Sequence, residues 1–171
     1  ITTVTTKQAS VNEFASVTTM DEAPNFLGTH DDTEVYSNSL KLVDGSSPAA
    51  MSGTYYFAQG IDLASVKRVR LTTRIAVAIY NVNDTIDSRL ENIDKWVSVD
   101  ATLTGGADAK VYVRHTDDDP AVSPAAWSAW ERLDSAEFEA RAFQFYILVE
   151  RDSADYNILI SELGIDVDEL A

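Results

Sequence analysis

Residues 66–80, VKRVRLTTRIAVAIY, constrain the fold more than any other stretch of the chain. Val69, Leu71, Thr73, Ile75, Val77 and Ile79 fall in one phase of a two-residue repeat, and Arg68, Arg70, Thr72, Arg74, Ala76 and Ala78 fall in the other. Side chains alternate across a strand, so this is a strand with one apolar face and one cationic face. A slip of one residue would bury three arginines and expose the aliphatic row, which fixes the register firmly. Each large aliphatic side chain on the first face contributes roughly 1.5–3 kcal/mol on burial, before the entropy of ordering it is subtracted.

Shorter runs repeat the pattern. Leu40 and Leu42 alternate with Ser39 and Lys41 before a turn at Asp44, Gly45 and Pro48, and Gly53 to Phe57 is rich in aromatic and β-branched residues. Val111, Val113 and His115 alternate with Lys110, Tyr112 and Arg114, and Phe143, Phe145, Ile147 and Val149 share one phase further on. In the last segment Ile158 and Ile160 lie in one phase, and Leu163, Ile165 and Val167 in the other. A phase change inside one strand predicts a β-bulge near Ser161 and Glu162. Only Ile86, Leu90 and Ile93, behind a possible N-cap at Asp84, sit at helical spacing, so one short helix or a compact loop is expected there. Trp96 to Leu103 reads as a further strand. Many turn-punctuated strands with almost no helix predict an all-β, antiparallel β-sandwich. Residues 1–32, weakly patterned and threonine-rich at the start, are expected to be a connector and edge-strand segment, and 33–171 the sandwich domain.

Composition narrows the function. The 171 residues are enough for a true hydrophobic core. Cysteine is absent, so packing must replace disulfides and thiolate metal sites. A formal net charge of -15 repels phosphate backbones and anionic membrane surfaces, so neither nucleic acid nor membrane insertion is expected. No apolar run is long enough to span a bilayer as a helix. The chain starts at Ile1 with a connector-like ITTVTTKQ, as expected of a processed chain or a domain cut from a longer one.

Four constellations carry possible chemistry. Asp117, Asp118 and Asp119, ahead of Pro120, offer oxygen ligands of the kind Ca2+ prefers, although the spacing departs from the Asp-x-Asp-x-Asp-Gly loop and a solvated turn is the simpler reading. Trp127 and Trp130 would point to opposite faces of an extended segment, one in the core and one available for stacking on a sugar ring, although two indoles plugging the edge of the sandwich are the simpler reading. Tyr112 lies on the polar phase of its strand and is the better candidate for an accessible aromatic. Arg68, Arg70 and Arg74, with Arg114 and Arg141 in similar positions, form either an anion-binding face or ordinary cross-strand ion pairs with acids such as Glu139 and Glu150. Catalysis is not expected: His30 and His115 are the only histidines, neither lies in a nucleophile motif, and no glycine-rich phosphate loop is present.

The succession FASVTTM, GTYYFAQGIDL, RLTTRIAV, TIDSR, VYVRHTDDDPAVSPAAWSAW, ARAFQFYILV and NILISELGIDV, which covers most of the chain, resembles the β-rich distal domain of bacteriophage tail-tip proteins. These are the host-specificity or central tail-hub proteins of long-tailed phages and prophages. The resemblance implies a jelly-roll-like sandwich of the galactose-binding or carbohydrate-binding-module type, within a larger and usually trimeric virion protein outside the cell. Expected partners are other copies of the chain, tail-tip subunits, and a host-surface glycan or protein. The resemblance supplies no motif for ligand residues. The candidates therefore remain Tyr112, Trp127, Trp130, Arg68, Arg70 and Arg74, with Asp117, Asp118 and Asp119 for a Ca2+ ion and no other cofactor. Two further readings fit the same residues: a carbohydrate-binding module of a secreted enzyme, and an oligomerisation domain with no ligand.

Overall fold

The computed structural model describes residues 14–15, 19–45, 48–83, 106–122 and 124–170. Among them the chain is all strand and turn. The strands are β1 (Phe14–Ala15), β2 (Thr19–Asp21), β3 (Thr29–Asp31), β4 (Thr33–Tyr36), β5 (Ser39–Leu42), β6 (Ser52–Tyr56), β7 (Gly60–Asn81), β8 (Ala107–Thr116), β9 (Glu131–Arg132), β10 (Ser135–Arg151) and β11 (Tyr156–Glu169). The helix expected near Ile86 and the strand expected from Trp96 lie outside the described residues.

Hydrogen bonding runs β3-β6-β10-β7-β11-β5-β4, with β8 and β9 beyond β10, β2 on β11 and β1 on β7. Every pairing is antiparallel except that of β1 with β7. Two long strands fold this sheet into a sandwich. The first half of β10 pairs with β7, from Ser135↔Thr72 to Phe143↔Ile61, and its second half is held between β6 and β8. β7 in turn leaves β10 after Thr72 and continues along β11 as far as Asn81↔Tyr156. One layer is thus β3, β6, β10, β8 and β9, and the other is β7, β11, β5, β4 and β2.

One apolar cluster lies between the layers. Tyr55, Phe57, Val111, Val113, Phe143, Phe145, Ile147 and Val149 enter it from the first layer, and Leu40, Leu42, Val69, Leu71, Ile158, Ile160, Leu163, Ile165 and Val167 from the second. The predicted bulge is present. Ile160 faces Val77 while Glu162 faces Ala76, so Ser161 is the extra residue, and both phases of β11 reach the same core. Met20 and Phe26 also belong to the core, which ties the described residues of the N-terminal segment into the sandwich.

The β7 register is as the alternation predicts, but burial of its apolar face stops part-way. Val69 and Leu71 are fully buried, whereas Ile75 is 37% and Val77 50% exposed. Past Thr73, whose N–H still reaches the Asp134 carbonyl, no strand among the described residues pairs with that edge of β7. The aliphatic row therefore runs out to the margin of the sandwich. β7 also starts earlier than the alternation from residue 66 implies. Ile61 already pairs with Phe143, and the phase is reset by an irregular stretch between Asp62 and Lys67 in which Ala64 adopts φ 63°.

Candidate functional site

The outer face of the first layer carries a contiguous set of aromatic rings. Register places Tyr56, Tyr146 and Tyr112 side by side on β6, β10 and β8, with Arg132 of β9 next in the row. Each follows from strand phase: Tyr146 sits between buried Phe145 and Ile147, and Tyr112 between buried Val111 and Val113. Tyr112 and Tyr146 stack with centroids 4.8 Å apart and planes 6° from parallel, while Tyr56 tilts against Tyr146 at 5.3 Å. Burial raises the Tyr146 hydroxyl above its ordinary pKa, and the neighbouring Tyr112 and Tyr56 hydroxyls push in the same direction. Trp130 meets Tyr146 edge-on at 4.8 Å and Tyr56 at 6.3 Å, which closes the set.

The tryptophans do not point to opposite faces. Both indoles lie against one guanidinium, with Arg114 Cζ 5.0 Å from the Trp127 ring and 4.7 Å from the Trp130 ring. Ser128 exchanges two bonds with His115, its N–H donating to the His115 carbonyl at 2.8 Å and its Oγ accepting the His115 N–H at 3.0 Å. Glu131 then pairs with Val113. Three steps from Ser128 to Glu131 therefore match two steps from His115 to Val113. The extra residue changes the phase, as a bulge does, and brings Trp127 and Trp130 to the same side.

Arg114 is held by neutral partners. Its Nε donates to Gln144 Oε1 at 2.8 Å, and its Nη2 donates to the same oxygen. Burial pulls its pKa below the usual arginine value, partly offset by Tyr56, and a guanidinium in this setting remains charged at neutral pH. Two cation–π contacts compensate for part of the lost hydration.

The other arginines among the described residues form ion pairs of the kind cross-strand geometry favours. Arg68 and Arg70 share Glu137 at 2.8 and 2.7 Å. Arg74 contacts Asp21, Glu162 and Asp166, which together hold its pKa above the ordinary value, the hydrogen bond to Asp21 most of all. These three arginines lie on β7, away from the aromatic set on β6, β8 and β10. Arg141 bridges Asp62 at 3.1 Å and Asp119 at 2.9 Å.

The acidic turn is organised by hydrogen bonds. Asp118 Oδ2 accepts the Ala126 N–H at 2.7 Å, and Asp119 Oδ1 accepts the Ala121 N–H at 2.8 Å. Among the described residues no group of three or more His, Asp or Glu side chains is placed to hold a metal ion. The two carboxylate bonds anchor Ala121 and Ala126, on the way to the tryptophans. His30 donates from Nε2 to the Phe26 carbonyl at 2.9 Å, and His115 packs on Phe138 and Phe143.

Of the residues singled out in the sequence, the structure brings together Tyr112, Trp127, Trp130 and Arg114, and adds Tyr56, Tyr146 and Gln144. Tyr146 carries the same signal as Tyr112, an aromatic on the polar phase of a strand. The register that aligns the three tyrosines is a tertiary property. Compared with protein-family models, curated proteins and solved structures, the chain matches none.

Proposed function

We propose that this chain is a non-catalytic structural and host-surface interaction domain of a phage tail-tip protein, and that it contacts a cell-surface glycan through the outer face of β6, β8 and β10. The observation that carries this reading is the set of packed rings Tyr56, Tyr112, Tyr146 and Trp130, continued through Arg114 to Trp127. Half-buried aromatic rings offer apolar surface to the C–H face of a sugar, and nearby polar groups orient its hydroxyls. The sequence resemblance to tail-tip domains supports the setting. In an oligomeric tail tip several weak sites would act together, since linked copies bind the same surface with a raised effective concentration.

The test is binding of the oligomeric protein to a glycan array and to candidate host cells, in parallel with Tyr112→Ala and Trp130→Ala variants whose fold is verified by circular dichroism. Each substitution should weaken binding by about tenfold or more, as expected for a central aromatic contact. Unchanged cell binding by both folded variants would remove the platform from the contact and leave an architectural role.

A further inference from the structure

We propose that the saccharide taken by this platform is acidic, and that Arg114 receives its carboxylate; the inference rests on the platform reading above. The chain has 28 acidic and 13 basic residues, so carboxylates are in excess. Among the described residues every other arginine has at least one within salt-bridge reach: Glu137 for Arg68 and Arg70, Asp21, Glu162 and Asp166 for Arg74, Asp134 for Arg132, Asp62 and Asp119 for Arg141, and Asp44 for Arg151. Arg114 has none, although it is the arginine held against two indole rings. A cation taken partly out of water is normally given a counter-charge within the protein, because its desolvation otherwise goes uncompensated.

The hydrogen-bond pattern specifies which edge is available. A guanidinium presents two bidentate forks, one formed by Nε and Nη2 and the other by Nη1 and Nη2. Gln144 Oε1 takes the first, receiving both Nε–H and an Nη2–H. The second, the end-on fork, makes no hydrogen bond or ion pair among the described residues. Gln144 fixes the plane, and the indoles of Trp127 and Trp130 restrict it further. A planar donor pair held in one orientation suits a carboxylate, which accepts two parallel N–H bonds. Register sets the Tyr112–Tyr146 stack two residues along the same strands, so a sugar ring against the tyrosines can carry its acid group to Arg114. The two sources of this chemistry, uronate and sialate residues, are separated by the panel below.

The experiment measures binding of the intact protein to immobilised uronate-bearing and sialate-bearing oligosaccharides and to their carboxyl-reduced counterparts. Wild type should prefer one acidic series by about 10- to 100-fold, the usual effect of a hydrogen-bonded charged pair. Arg114→Gln should bring the acidic ligand down to the level of its reduced form, and Arg114→Lys, which keeps the charge and loses the fork, should fall between. Equal wild-type binding of acidic and reduced ligands overturns the inference without needing a variant; if Trp130→Ala then abolishes that binding, the platform reading stands. Undiminished acid preference in a folded Arg114→Gln protein also overturns it. Binding of neither series overturns the inference and the glycan reading together.

Discussion

Asn157 is fully buried, and its side-chain amide does the work of a peptide group. Oδ1 accepts the N–H of Leu42 at 3.2 Å and of Ile158 at 2.8 Å, while Nδ2 donates to the Leu42 carbonyl at 3.0 Å and to Asp44 Oδ1 at 2.8 Å. It completes the bonding between β5 and β11, whose backbones pair in register only at Leu40 and Ile160. Asn157→Ala strands the Leu42 amide and carbonyl, and a loss of about 2–3 kcal/mol in urea unfolding is expected. Asp44, on the same network, carries a pH signature. Burial pushes its carboxyl up, but hydrogen bonds from Lys41 and Asn157, with the charges of Lys41 and Arg151, outweigh this and leave the pKa lowered. A carboxyl depressed in the folded state stabilises above its unfolded pKa, and that contribution is lost as pH falls through the folded value. Glu137, lowered by Arg70 and Arg68, acts in the same direction. The thermal midpoint should therefore hold between about pH 5 and 7 and fall below about pH 4, and Asp44→Asn should start lower and fall less steeply. None of this polar network is legible in the sequence, since Asn157 lies 115 positions from its Leu42 partner and nothing local marks it as buried. Tyr112 was legible because strand phase alone exposes it.

At the scale of elements, strand phase predicts well wherever strands pair regularly and fails where a bulge or an edge intervenes. The Ser161 bulge is readable because apolar residues occupy both phases of β11. The bulge between Ser128 and Glu131 is not, because that segment has no run of alternating residues to show a change of phase. This is why the sequence places Trp127 and Trp130 apart and the structure places them together. Exposure of Ile75 and Val77 was equally hidden, since it depends on where β10 leaves β7. Deleting Ser161 tests the bulge directly. Without the extra residue either Ile158 and Ile160 or Leu163, Ile165 and Val167 must turn away from the core, and the protein should lose cooperative unfolding. Ser161→Ala keeps the residue count on an exposed position and should change stability by no more than about 0.5 kcal/mol.

For the whole molecule, strand-dominated patterning was enough to predict an antiparallel β-sandwich, whereas the order of its strands depends on which long strands change partners. The excess of acids also acts globally. The net charge of -15 remains after all the ion pairs are formed, and its self-repulsion disfavours the compact state. Raising ionic strength from about 10 mM to 0.3 M should therefore raise the thermal midpoint, because screening relieves more repulsion than it removes from exposed pairs. Finally, the two layers are joined where β10 pairs with β7, and residues 52–56 and 61–72 find their partners in residues 135–150. The junction between the layers cannot form until the chain between these segments closes into a long loop, an entropic cost met before the contacts reward it. Refolding after a denaturant jump should accordingly take milliseconds to seconds, and probes reporting on either layer should follow a single time course.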